Sequence, residues 1–202
     1  MEVDPREPAL TASGEPFEIR EELERGRPMR VFARASGTLS GLFATMPGRG
    51  DTDFIVDGDR RLSYAAFHAL AGALAAALAD GHGIRTGDRV ALAMHNSPEW
   101  MVAFVAVSAL GAIPALVNSR GSGEEMRFCV DDVGAGLAIT DAPRAAMLSD
   151  AGYTGKTLVL DEAALAEIAG RAGERTLPES PARTDDPACI LFTSGTTGRP
   201  KG

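Results

Sequence analysis

The residues best suited to chemistry stand together at the end of the chain: Ile190-Leu-Phe-Thr193-Ser194-Gly195-Thr196-Thr197-Gly198-Arg199-Pro200-Lys201-Gly202. An apolar strand runs directly into glycines and hydroxyl residues and closes with a lysine. Gly195, Gly198 and Gly202 let the backbone turn sharply and approach a ligand with no side chain between them. Successive N–H groups in such a turn form an anion-binding concavity. Ser194, Thr196 and Thr197 add hydroxyl donors, and Lys201 adds a compact positive charge. Lys201 is one of two lysines, with Lys156, among eighteen arginines. Together these groups suit a polyphosphate, although the composition is also that of a polar loop after a strand.

Other chemistry finds less support. The GxxxxGK[ST] phosphate loop fails because Pro200 precedes Lys201. A GxGxxG fingerprint at Gly81-His82-Gly83 fails because Gly87 comes one residue late and a helix precedes it. Cys129 and Cys189 form no CxxC pair, and His68, His82 and His95 show no HExxH spacing, so no metal site is expected. Cys129 reads as a buried small hydrophobe and Trp100 as core. No Ser/His/Asp or Cys/His arrangement emerges from spacing.

The elements that position the terminal loop alternate. A hairpin turns at Asp57-Gly58. Ser63 caps a helix whose Tyr64, Phe67, Ala71, Leu74 and Leu78 form one apolar stripe. Strand 89–94, helix 98–110 and strand 113–117 follow. The apolar run 100–117 is near spanning length. However, Ser97-Pro98-Glu99 opens it as a soluble helix, and Gly111 and Pro114 interrupt it. Ser122 and Glu125 make a capping box for a helix to Val133. Strand 136–140, a helix capped by Asp141 to Ala151, strand 157–160 and a helix capped by Asp161 to Ala172 come next. Loop 173–187 leads to strand 188–193. This is an α/β pattern: a mainly parallel sheet with helices on both faces. Residues 1–36 read as a polar leader, helical near residues 17–25, and residues 37–202 as the folded part.

The chain has 202 residues, 45% hydrophobic and 24% charged, enough for one domain with a real core. Its formal charge of −8 disfavours nucleic acid. The N-terminus lacks a secretory core and is too acidic for a transit peptide. With two scattered cysteines, a reducing, cytoplasmic setting without a membrane span is expected.

The ten residues 193–202 resemble the phosphate-binding signature of the adenylate-forming (AMP-binding) superfamily: acyl- and aryl-CoA synthetases, luciferases and peptide-synthetase adenylation domains. Leu62-Ser63-Tyr64, Gly87-Asp88-Arg89-Val90-Ala91, Asn96-Ser97-Pro98-Glu99 and Ala109-Leu110-Gly111-Ala112-Ile113-Pro114 resemble further segments in the same order. The likeness runs over about residues 37–202. It implies the N-terminal part of the large domain of such an enzyme. It also implies a chemistry in which ATP and a carboxylic acid give an acyl-adenylate and pyrophosphate with Mg²⁺, and a thiol, usually coenzyme A, then displaces AMP. Thr193, Ser194, Gly195, Thr196, Thr197, Gly198 and Lys201 would hold the β- and γ-phosphates. Asn118-Ser119-Arg120 looks like the L-N-x-R segment of acyl-CoA synthetases, with Val117 in the Leu place, so the resemblance favours that branch and a fatty acid substrate over a peptide synthetase. The family's adenine, ribose, acyl and Mg²⁺ segments and its catalytic lysine have no counterpart in residues 1–202. The chain is therefore expected to be an N-terminal piece, without catalytic residues and inactive alone, or a non-catalytic domain that binds nucleotide weakly. The acid's identity and the oligomeric state are not legible.

Overall fold

The computed structural model describes residues 6–193 and 200–202. The chain gathers into two compact units, Met1–Gly37 with Arg183–Asp186, and Thr38–Ala182 with Pro187–Gly202.

The first unit holds a short helix α1 (Glu7–Leu10) and a hairpin of β1 (Ile19–Glu24) and β2 (Arg27–Phe32). The expected helix near residues 17–25 is thus a strand. Arg25 and Gly26 both take positive φ, 51° and 76°, the pattern of a type I′ hairpin turn. That turn sets Glu24 opposite Arg27 and Glu21 opposite Arg30. Charges that look like helical i,i+4 partners in the sequence become cross-strand pairs instead.

The second unit opens with α2 (Leu39–Phe43), a 3₁₀ turn (Met46–Arg49) and the hairpin β3 (Asp53–Asp57) and β4 (Arg60–Ser63). The hairpin turns on Gly58-Asp59 rather than Asp57-Gly58. Gly58 has φ 57° and Asp59 does not share it, the type II′ pattern with glycine in the first central place. Then follow α3 (Tyr64–Gly81), β5 (Arg89–Ala93), α4 (Pro98–Ala109), β6 (Ile113–Leu116), α5 (Gly123–Asp132), β7 (Leu137–Thr140), α6 (Ala142–Asp150), β8 (Thr157–Val159), α7 (Glu162–Ala172) and β9 (Ile190–Leu191). Ser63, Ser97, Ser122, Asp141 and Asp161 each accept a backbone N–H as N-caps, and Ser122 with Glu125 completes the capping box.

The five strands form one parallel sheet in the order β8-β7-β5-β6-β9. Right-handed crossovers then dictate the layers. The chain moves one way from β5 to β6 and back across β5 to β7 and β8, so α4 belongs on one face and α5 and α6 on the other. The return from β8 to β9 puts α7 with α4. The side chains agree. Val90, Leu92, Leu137 and Ile139 pack with α3, α4 and α7, whereas Ala91, Ala93 and Ala138 pack with Met126, Cys129, Val130 and Leu148 of α5 and α6. Alternate strand residues point to opposite faces, so the alanine face is the one α5 and α6 cover.

Helix α4 lies on β5 and β6, and α3 packs across α4 and α7. Sandwiched in this way, α4 buries Val102, Ala103, Val105, Ala106, Val107 and Ala109, which accounts for its lack of a polar face. On α3 four residues of the expected stripe, Phe67, Ala71, Leu74 and Leu78, have no exposed surface, and Tyr64 at its start is half-buried. Each of its large members contributes about 1.5–3 kcal/mol by burial. Among the described residues, α3 is the one helix long and apolar enough to cross a membrane. Here its apolar stripe faces the core.

Hairpin β3–β4 is tied to the same core by charge. Arg60 donates to the buried Glu99 at 2.9 Å and lies 3.3 Å from Glu162. Burial pushes the Glu99 carboxyl up. The Arg60 hydrogen bond and charge, a backbone N–H and Ser97 outweigh it and hold the group below its ordinary value.

Candidate phosphate-loop site

Strand β9 reaches the site as the outermost strand among those described, paired to β6 through Ala115 with Ile190 and Leu116 with Leu191. It covers two residues, where the sequence pattern suggests six. Beyond it, Phe192 packs against the α5–α6 side of the core. Thr193 then pairs with Lys201 in an isolated antiparallel bridge. The Thr193 N–H donates to the Lys201 carbonyl at 2.8 Å, and the Lys201 N–H donates to the Thr193 carbonyl at 3.0 Å. Residues 193 and 201 thus form a closed neck. The Thr193 hydroxyl adds a longer contact, donating to the Lys201 carbonyl at 3.4 Å, and the Lys201 side chain is exposed. Gly202 lies where an added Cβ would come 2.8 Å from the Phe192 ring and 2.9 Å from Ile190. Glycine at the far end of the motif is a packing requirement of the neck. Of the other expected ligands, Ser194, Gly195, Thr196, Thr197 and Gly198 lie outside the described residues.

The neck stands at the carboxyl end of the parallel strands, the end at which open α/β sheets take their ligands. There the loops after β5 and β6 enclose a cavity of about 450 Å³ lined by His95, Asn96, Trp100, Asn118, Ser119 and Arg120, among others. Asn118 shapes the second loop: its side-chain oxygen accepts from Arg120 N–H at 3.1 Å and its carbonyl from Gly121 N–H at 3.2 Å. The capped N-termini of α4, α5 and α6 follow the same strand ends and bring their positive dipole ends to this edge. Across α5 lies a different surface. A groove of about 910 Å³ is lined by Glu124, Glu125, Asp131, Asp132, Arg127 and Pro200, among others. Its four carboxylates against one guanidinium disfavour a polyphosphate there.

Sequence reasoning missed this cavity. It placed Trp100 in the core, and Trp100 does stack on Phe104 with ring centroids 5.7 Å apart, yet it also lines the cavity wall. His95 carried no motif. The usable signal is position: each lining loop begins where a parallel strand ends. Cys129 behaves as read from sequence. It is 2% exposed, and burial, then Asp132 and Glu125, push its thiol up to about 11, which leaves no nucleophile at neutral pH.

Comparison with known proteins places these features in context. The chain is 37% identical over 150 residues to the long-chain-fatty-acid–CoA ligase FadD13 of Mycobacterium tuberculosis, covering 71% of this chain and 29% of that protein. It is 32% identical over 148 residues to tyrocidine synthase 1 of Brevibacillus parabrevis, covering 73% of this chain and 13% of that one. The chain thus spans less than a third of each of these relatives. Among solved structures, the N-terminal domain of FACL13 from Mycobacterium tuberculosis superposes with a TM-score of 0.72 at 30% identity, over 82% of this chain and 43% of that one. The family model described as AMP-binding enzyme matches residues 42–202, from α2 through the neck, and the chain belongs to that family.

Proposed function

We propose that this chain carries the pyrophosphate-binding part of an ATP-dependent, AMP-forming acid–thiol ligase. Such an enzyme activates a carboxylic acid, a fatty acid in the favoured reading, as its acyl-adenylate and passes the acyl group to coenzyme A. The observation that carries the reading is the neck between Thr193 and Lys201 at the carboxyl edge of a parallel sheet, with its motif lysine on an exposed side chain. Thr193, Ser194, Gly195, Thr196, Thr197, Gly198 and Lys201 are the proposed β- and γ-phosphate ligands. Their work is electrostatic: donors and one ammonium placed where charge develops on the leaving pyrophosphate. They also hold the triphosphate so that the α-phosphorus faces the incoming carboxylate. Family membership and the ligase relatives support the reaction class.

Among the described residues, no three His, Cys, Asp or Glu side chains group to hold a metal ion. In this reading residues 1–202 alone form no acyl-adenylate, because adenylation needs groups converging on the phosphate and the acid from several sides. Residues 37–202 are taken as the part that belongs to the AMP-binding domain.

The relationship to tyrocidine synthase 1 supports a second reading, a peptide-synthetase adenylation domain. Asn118-Ser119-Arg120 favours the CoA-ligase branch. The test is acid-dependent ATP–pyrophosphate exchange by the whole gene product containing these residues, with fatty acids and amino acids as substrates and with and without coenzyme A. Exchange with fatty acids and CoA-dependent thioester formation support the ligase. Exchange with amino acids supports the second reading, and no exchange with any acid removes both.

A further inference from the structure

We propose that Asp141 and Arg144, at the start of α6, are positioning residues that latch the loops after β5 and β6 together and so set the width of the cavity beside the neck. Neither residue belongs to a motif. The Asp141 carboxylate is used twice. One oxygen accepts from the Arg144 N–H at 3.0 Å, which caps α6. The other accepts from the His95 N–H at 2.8 Å, 46 residues away in the loop after β5. The Arg144 guanidinium lies 3.5 Å from that second oxygen and donates through Nε to the Ser119 carbonyl at 3.0 Å, in the loop after β6. Three strand ends, β5, β6 and β7, are thereby joined by one acid and one arginine. Their side chains are 22% and 16% exposed, dry enough for the charge-assisted bonds to count.

The geometry goes beyond capping. An N-cap needs one acceptor, and Asn would serve as well as Asp. Only a carboxylate caps, accepts from His95 and faces a guanidinium at once. Only a guanidinium offers Nε to Ser119 while another nitrogen faces Asp141. His95 and Ser119 both line the cavity, one from the loop after β5 and the other from the loop after β6. Trp100, also in its wall, is the one tryptophan of the chain and reports on the cavity directly. The cavity's importance to ligand binding rests on the reading of the carboxyl edge as the binding edge. The latch itself does not.

The test compares wild type with Asp141→Asn, which keeps the cap, and with Arg144→Lys, which keeps the charge. Amide hydrogen exchange and acrylamide quenching of Trp100 are measured in the 202-residue chain at a temperature well below unfolding. With Asp141→Asn, the His95 amide is expected to exchange about tenfold faster, the cost of one charge-assisted bond. With Arg144→Lys, the Arg120 and Gly121 amides speed up by a similar factor. Trp100 quenching rises in both, and exchange in α3 and β5 stays as in wild type. Unchanged exchange at His95, Arg120 and Gly121, or a uniform rise throughout the chain, would overturn the latch. A parallel titration of wild type with Mg·ATP separates the two readings. If wild type ignores ATP, the binding-edge reading fails, whatever the exchange data show of the latch.

Discussion

Thr193 and Lys201 exchange both of their backbone hydrogen bonds, at 2.8 and 3.0 Å, across a segment rich in glycine and hydroxyl residues. These bonds use the Lys201 main chain, and its side chain is exposed. Lys201→Ala should therefore keep the neck and the circular dichroism of the wild type. A charged hydrogen bond to phosphate contributes roughly 1.5–3 kcal/mol, so ATP affinity should fall about tenfold to a hundredfold. Calorimetric titration checks this, and ATP affinity unchanged by the substitution contradicts the assigned role.

The Arg60–Glu99 pair predicts an asymmetry. Glu99 is 5% exposed, while the Arg60 side chain is 41% exposed. Arg60→Ala strands a carboxylate inside the protein and should cost about 2–3 kcal/mol, toward the low end because water still reaches that side of the pair. Glu99→Gln frees a guanidinium that can turn to solvent, and should cost about 1 kcal/mol. Urea melts of the two variants check the order. Equal losses would show that the pair is held by packing rather than charge.

His68, 8% exposed on α3, has its pKa lowered by burial. Its neutral form is favoured in the folded chain, so the unfolded chain binds the extra proton. Stability from this group is complete above its ordinary value of about 6.5 and falls as pH drops from there toward the lowered value, at up to about 1.4 kcal/mol per pH unit. His68→Gln should flatten the thermal midpoint between pH 6.5 and 5 relative to wild type. Parallel curves for the two proteins would refute the assignment.

Thr140 ends β7 with no exposed surface and a hydroxyl oxygen that has no hydrogen-bond partner among the described residues. Thr140→Val keeps the shape and removes the stranded polar atom. It should raise stability by about 1 kcal/mol, a shift of about 2–4 °C in Tm. Scanning calorimetry decides, and a lower midpoint in the valine variant would mean that the hydroxyl is in use.

What the sequence shows and what it hides divide along the range of the interactions. The five caps at Ser63, Ser97, Ser122, Asp141 and Asp161 stand where the chain pattern puts them, because a cap bonds within three residues. The apolar stripe of α3 is legible for the same reason. The hairpin of β1 and β2 was misread because its Glu and Arg residues satisfy a helical spacing as well as a cross-strand one, and only the Arg25-Gly26 turn separates the two. The order of the sheet, the cavity at its carboxyl edge and the bond from His95 to Asp141 depend on crossovers of dozens of residues, which leave no local mark. The run 193–202 is legible as a motif, while the neck between Thr193 and Lys201 is visible only in three dimensions.

The central claim is that residues 193–202 take up the phosphates of ATP at the carboxyl edge of the sheet. Amide chemical-shift mapping of the ¹⁵N-labelled chain during titration with Mg·ATP tests it most directly. The account predicts shifts concentrated at residues 193–202 and at Asn118, Ser119 and Arg120, saturable in the wild type and shifted to about tenfold or more higher ATP in Lys201→Ala. Shifts gathered instead along the acidic groove of α5, or a pattern that Lys201→Ala leaves unaltered, would contradict it.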